Sequence, residues 1–329
     1  MTHWALTLIV GRLADRARDW RQVIVITMAI AGAAPLGLLW SQSFWAILIF
    51  WAALATAQRV GVPVADAAGL RMARREGVDF GGLRGLSTIG YLAVILIAGY
   101  VMGESGIALF LPIFIALGLL RAGAAFALPD LRGPRGQDSR PARLSLMMKP
   151  WFVLPLLGWA LIDTNHIILN AFQGLIWADQ GISTAVIGVL VALGALAETV
   201  MFFAFRRVSR RFAPLTILAA AAGFSVLRYI GLAFVTDIWT LAALQLMHAL
   251  TYAMGFLAVT NFIADQTSED IAAEAQGFLV TLELAVSVLA LVAFGWLVGA
   301  FGASAYLAAS LLGALGGISV LVARRVRSS

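Results

Sequence analysis

The chain has 329 residues, 61% of them hydrophobic and only 12% charged, with a mean hydropathy of +0.93. A soluble domain carries about 25% charged residues, so this composition excludes a soluble enzyme and a disordered chain and places the protein in a bilayer. There is no cysteine, which removes disulfides, thiolate catalysis and Cys-ligated metals, and the net charge of +6 matters by where its arginines lie rather than by its size.

A transmembrane helix needs about 20 mostly apolar residues. Residues 1–10, MTHWALTLIV, are apolar, but as a helix they reach only about 15 Å, half a bilayer. Met1-Thr2-His3-Trp4 has neither the basic start nor the small-residue cleavage site of a signal peptide. The segment reads as the cytoplasmic half of a helix whose other half is missing. About ten full spans follow, at roughly 22–40, 44–67, 85–103, 106–128, 151–177, 184–205, 213–235, 238–263, 275–298 and 304–323. Ser41-Gln42-Ser43 divides the first uncharged run, and Gly299-Ala300-Phe301-Gly302 marks a turn inside the last. The fold class expected is all-α integral membrane, with ten full helices after the half-helix.

Basic residues alternate along this series. They stand at Arg12, Arg16, Arg18 and Arg21, then at Arg71, Arg74, Arg75 and Arg84. Further groups are Arg132, Arg135, Arg140, Arg143 and Lys149, then Arg206, Arg207, Arg210 and Arg211, and finally Arg324, Arg325 and Arg327. The intervening loops carry none, so the arginine side and the C-terminus are expected in the cytoplasm, the protein being multi-pass in the cell (inner) membrane. The longest polar stretch, 129–150, holds Pro129, Pro134, Pro141 and Pro150 and reads as a linker. It divides the chain into an incomplete helical bundle at 1–128 and a six-helix bundle at 151–329.

Gly11-Arg12-Leu13-Ala14-Asp15-Arg16 resembles the G-x-L-A-D-R/K signature of the major facilitator superfamily. Pro63-Val64-Ala65-Asp66-Ala67 and Asp79-Phe80-Gly81-Gly82-Leu83-Arg84 resemble segments of one branch, the lactose-permease-like symporters and the phenylpropionate permease group. In the second half Ala197-Glu198, Leu227-Arg228 and Gln245-Leu246-Met247-His248 are similar to the same branch. The resemblance covers nearly the whole chain from the family's second helix onward, so the chain looks as if it lacks the first one and a half helices. It implies a two-bundle transporter with gating or structural roles for Asp15, Arg16, Asp66 and Arg84. The order Glu, Arg, His on successive helices implies proton coupling through Glu198, Arg228 and His248. The branch has a second acidic residue three positions after the histidine, and here that position is Thr251.

Independently of any resemblance, the expected spans contain Arg59, Arg121, Asp163, Glu198, Arg228 and Glu283. One such charge at a helix centre costs about 2.5–3.5 kcal/mol, so these residues are expected to pair or to face water, and they mark pathways. Arg121 lies near a span end, where it can snorkel. Arg59 and Asp66 share a helix face and could pair with each other or with Arg84. Asp163, His166, Asn170 and Gln173 form one helical stripe, Gln245, His248 and Tyr252 a second, and Gln276, Glu283 and Ser287 a third. For the amides alone, bonding between helices explains the pattern equally well.

No phosphate loop and no nucleophile elbow occur, and three histidines without metal-site spacing argue against a metal. The expectation is therefore a secondary transporter, not an enzyme, with no cofactor and no nucleic acid. Its partners are a small organic solute (an aromatic acid, a sugar or a nucleoside), a proton and the lipid bilayer, and it works as a monomer. Glu198 is the candidate proton carrier. Arg228 either neutralises it or holds an anionic solute, and His248, Asp163, His166 and Glu283 line the path. The alternative is a truncated, inactive chain or a misplaced start.

Overall fold

A computed structural model describes residues 19–131, 147–268 and 271–328. The expected half-helix at 1–10, Asp15 and Arg16 of the Gly11–Arg16 motif, and most of the expected linker lie outside these residues. Every regular element among the described residues is helical. In chain order they are α1 (Trp20–Ala33), α2 (Phe44–Glu76), α3 (Phe80–Ser105), α4 (Phe110–Phe126) and α5 (Pro150–Asp179). Then follow α6 (Thr184–Ser209), α7 (Pro214–Phe234), α8 (Ile238–Gln266), α9 (Ala272–Phe301) and α10 (Tyr306–Ser328).

Seven segments among the described residues are long and apolar enough to cross a membrane, the last running from Ala272 to Val326. That stretch holds two of the expected spans, and Phe110–Phe126 is a shorter apolar helix. On length and apolarity these segments account for eight of the expected spans among the described residues.

Local chemistry explains the ends. Ser43 and Ser183 cap α2 and α6 by accepting the amides of Ala46 and Val186. Pro150 and Pro214 open α5 and α7, where a missing N–H leaves no bond unmade. Two boundaries move from the expected ones. The arginines Arg71, Arg74 and Arg75 lie on the final turns of α2 rather than in a loop. Alanine, leucine, methionine and arginine all favour the helix, which continues until Gly77 adopts a left-handed φ of 69° and closes it onto the Ala73 carbonyl. Similarly, α9 runs through Gly299 to Phe301, and the turn falls at Gly302–Ala305.

The described residues form two compact units. One comprises 19–80, 90–131, 266–268 and 271–280; the other comprises 81–89, 147–265 and 281–328. In the first, α1 packs against α2 and α4. Its core gathers Trp20, Ile24, Met28, Val64, Ala67, Ala68, Ala125 and Ala272. In the second, α10 packs against α5 and α7. A Cβ on Gly158 would lie 2.8 Å from the Gly316 carbonyl, so the two backbones touch there and only glycine fits. The second core is richer in rings, with Trp177, Tyr229, Phe294 and Tyr306 around Ile168, Leu169 and Leu241.

One helix is irregular. Between Leu246 and Met254, α8 widens into a π turn at Ala249–Ala253, closed by the Met254 amide on the Ala249 carbonyl. Such turns are rare and tend to occur where function needs a side chain re-aimed. Here the turn lies immediately after His248.

Candidate functional site

The second unit carries a polar cluster built from four helices. Arg228 of α7 is completely buried. Its Nη2 donates to Gln245 Oε1 at 2.6 Å, and its Nη1 donates to Thr251 Oγ1 and to His248 Nδ1, both at 3.2 Å. His248 reaches on to Glu198 of α6, with Nε2 3.2 Å from Oε2. The side chains of His248 and Glu198 are 13% and 16% exposed, so this end of the cluster is the one that solvent or solute can touch. The imidazole lies between the carboxylate and the guanidinium, so the two charges meet through His248 and not as a direct ion pair.

Donor and acceptor chemistry sets the protons. An arginine N–H can only donate, so His248 Nδ1 accepts and its proton sits on Nε2, facing Glu198. His166 has the opposite arrangement. Its Nδ1 lies 3.0 Å from the Ile162 carbonyl, which can only accept, so Nδ1 carries the proton. Its Nε2 is 2.9 Å from Thr251 Oγ1. The Thr251 hydroxyl accepts from Arg228 and shares its own proton between His166 and the Met247 carbonyl. Both tautomers are thus assigned by hydrogen-bond roles.

Rings line one side. His248, Tyr252 and Phe256 are stacked along α8, with interplanar angles of 18° and 13°. Trp159 stands across from Tyr252 and Phe256, and Phe202 meets Phe256 edge-on. The Arg84 guanidinium lies 4.6 Å above the Phe256 ring, a cation–π contact. Trp159 Nε1 donates to Glu283 Oε1 at 2.8 Å. Tyr252 stands in the combined field of Asp163, Glu198, Glu283 and Arg84.

The structure thus brings Glu198, Arg228, His248 and His166 into one connected cluster and sets Asp163 and Glu283, both half-buried, around Tyr252. Of the expected gating residues, Arg84 belongs to this unit and Asp66 to the other, half-buried on α2, while Arg59 is exposed and makes no described pair with Asp66. The α5 stripe divides: His166 and Gln173 are buried, whereas Asn170 is exposed. Gln276 belongs to the first unit, apart from Glu283 and Ser287 of the same stripe. Two participants, Thr251 and Asn165, were given no role from the sequence, and Gln245 was placed on a polar stripe that bonding between helices explained equally well. Thr251 and Gln245 flank His248 at three residues on either side, which is a usable signal. Asn165 is off the stripe altogether and bonds Ser225 at 3.1 Å while its carbonyl accepts from Tyr229.

A family model described as MFS_1 like family matches residues 1–310. Among curated proteins, the probable 3-phenylpropionic acid transporter of Escherichia coli (strain K12) is 23% identical over 279 residues, covering 80% of this chain and 70% of that protein. The maltose permease of Geobacillus stearothermophilus is 24% identical over 233 residues, covering 70% of this chain and 58% of the permease, so the chain spans less than two thirds of that relative. Among solved structures, the Escherichia coli fucose:proton symporter superposes with a TM-score of 0.71 at 13% identity over 97% of this chain and 87% of that one. A human organic anion transporter gives 0.74 at 14% identity, over 97% and 80%. At such identities the superpositions speak for the fold alone. The family match spans nearly the whole chain, and with the apolar helices it identifies the protein as a multi-pass membrane protein of the MFS_1-like family, within the major facilitator superfamily of solute transporters rather than among enzymes.

Proposed function

We propose that the chain is a proton-coupled symporter of a small organic solute, working by alternating access, with Glu198 as the carboxylate that loads and releases the proton. Its bundles are 1–128 and 151–329, joined by the cytoplasmic linker 129–150, with about ten full spans. The arginine loops and the C-terminus face the cytoplasm, and the protein is a monomer in the inner membrane. The observation that carries this reading is the chain Glu198–His248–Arg228, an acid, a neutral relay and a buried cation within hydrogen-bond distance. Mid-helix charges are expensive in a bilayer and persist where they line a pathway. The carboxylate at the partly exposed end can exchange a proton, and the stacked rings beside it offer surface to a ring-bearing solute. The relatives described as a probable 3-phenylpropionic acid transporter and a maltose permease support a small organic cargo.

The test is Glu198→Gln, which keeps the hydrogen bonds but cannot ionise. In proteoliposomes, radiolabelled 3-phenylpropionate, maltose, fucose and uridine are offered with and without an imposed proton gradient. The wild type is expected to accumulate one of them uphill. The variant is expected to lose uphill accumulation and keep solute exchange, since a permanently neutral site mimics the loaded state. Uphill accumulation by a folded Glu198→Gln protein would remove this residue from the mechanism.

A further inference from the structure

Gln245 is 2% exposed and lies one helical turn before His248. Its amide is fully committed. Nε2 donates to the Leu190 carbonyl at 3.1 Å and to Gln173 Oε1 at 3.3 Å. Because a carbonyl can only accept, these bonds turn the amide so that Oε1 faces the guanidinium, which it meets at 2.6 Å. A buried cation is normally held by a carboxylate. The acceptors described around Arg228 are Gln245, Thr251 and His248, all uncharged. The guanidinium is a rigid plane, so seating Nη2 on Gln245 also fixes the direction of Nη1. Nη1 is the group that meets His248 Nδ1 and decides which imidazole nitrogen carries the proton. A carboxylate at position 245 would also accept from the guanidinium, but it would give up both Nε2 donations and cancel the charge on the spot. An amide holds the arginine and leaves its charge directed at the imidazole.

We propose that Gln245 is a positioning residue of the coupling cluster: it seats Arg228 with an uncharged acceptor, so that the arginine caps His248 Nδ1 and the imidazole N–H is fixed on Glu198. The consequence for transport rests on the reading of Glu198 given above, whereas the consequence for the tautomer does not. The other charged and titratable groups facing this cluster are His166 and Asp163 from α5, Tyr229 from α7, Tyr252 from α8, Glu283 from α9, Tyr306 from α10 and Arg84 from α3.

The chain has three histidines, so the imidazole nitrogens give a resolvable ¹⁵N spectrum in the purified protein. The wild type should show one imidazole protonated on Nδ1, from the buried His166, and one on Nε2, from His248, each assigned by its His→Asn variant. In Gln245→Leu the His248 signal should become a mixture of tautomers while the His166 signal stays. Should Gln245→Leu fail to reach the membrane, Gln245→Asn shortens the amide by one methylene and reads the same signal. Gln245→Glu supplies a charged acceptor beside the guanidinium at the loss of both Nε2 donations, and it is read only on protein that reaches the membrane folded. With the same four radiolabelled solutes, its ratio of proton-driven accumulation to exchange should fall about tenfold, the scale of one hydrogen bond to a charged group. A His248 signal that stays wholly Nε2–H in Gln245→Leu, or a Gln245→Glu protein that accumulates solute as the wild type does, overturns the proposal. If instead Glu198→Gln accumulates normally, the symport reading falls while the tautomer spectrum still decides the role of Gln245.

Discussion

The two units use their charged residues in opposite ways. In the first, Arg59, Asp66 and Arg121 lie within helices, but the hydrogen bonds made by charged side chains gather near helix ends. Asp19 caps α1 by accepting the Arg21 amide at 2.9 Å, and its two oxygens also take the Leu131 amide. Arg21 donates to the Phe126 carbonyl, Arg75 to the Leu131 carbonyl and Arg71 to Thr267, each satisfying a chain end or loop. The core beneath them is apolar. In the second unit the charges stand mid-helix, and the polar network of Arg228, Gln245, Thr251, His248 and Glu198 runs through the packing itself. A charge at a helix end completes bonds the helix leaves open and needs no further explanation. A charge held in the middle of an apolar helix has been kept at a cost, and transport chemistry is the reason available.

Arg228→Leu should break this contrast most. It leaves Gln245 Oε1 and His248 Nδ1 buried without their donor, and a loss of about 3–5 kcal/mol is expected together with loss of proton-driven accumulation. Unfolding in detergent followed by tryptophan fluorescence, alongside transport, checks both; a stable, coupled variant would place the first unit and the second on the same footing. Trp20→Ala probes the other side. Trp20 is fully buried in the first core, and its truncation should cost about 3 kcal/mol. The protein that remains folded should keep the wild-type ratio of accumulation to exchange, and a changed ratio would mean the first core also takes part in coupling. Asp19→Ala removes one acceptor from two amides and should cost about 1–2 kcal/mol by the same measurement, with Asp19→Asn recovering most of it.

The smallest effect belongs to Asp237, the cap of α8. Its carboxylate accepts the Thr240 amide at 2.9 Å, and hydrogen bonds from Thr240 hold its pKa below the usual value. A lowered folded pKa stabilises the ionised form, so this contribution is fully present above the ordinary aspartate pKa of about 3.9 and is lost as pH falls through the lower folded value. Comparing the acid limb of stability for wild type and Asp237→Asn should show a difference at neutral pH that disappears in acid. A difference persisting at the lowest pH would assign the effect to something other than the charge.

Much of the fold was readable residue by residue. The apolar runs became helices, and Ser41-Gln42-Ser43 became a turn with Ser43 as a cap. Gly313 and Gly317, four residues apart on α10, pack closely against Ser225 and Ala222, whereas Gly299, which has a glycine four residues before it on α9, faces open space. Spacing alone could not separate them, because 32 glycines make such patterns common and only the partner helix decides which are pressed. Glu198, Arg228 and His248 were legible for a simple energetic reason: an ionisable residue inside an apolar run stands out against its neighbours.

What the sequence determined by itself is the bilayer as solvent, the helical class, the alternation of basic loops and the short set of costly mid-span charges. These follow from composition and local period, which need no knowledge of distant contacts. Tertiary structure alone decided how those charges are connected. It placed His248 between Glu198 and Arg228, set opposite tautomers on His248 and the buried His166, gave Arg228 the uncharged anchor Gln245 and widened α8 into a π turn beside them. Hydrogen bonds reach about 3 Å and depend on direction, so which donor meets which acceptor is settled only when helices far apart in the chain come to rest against one another.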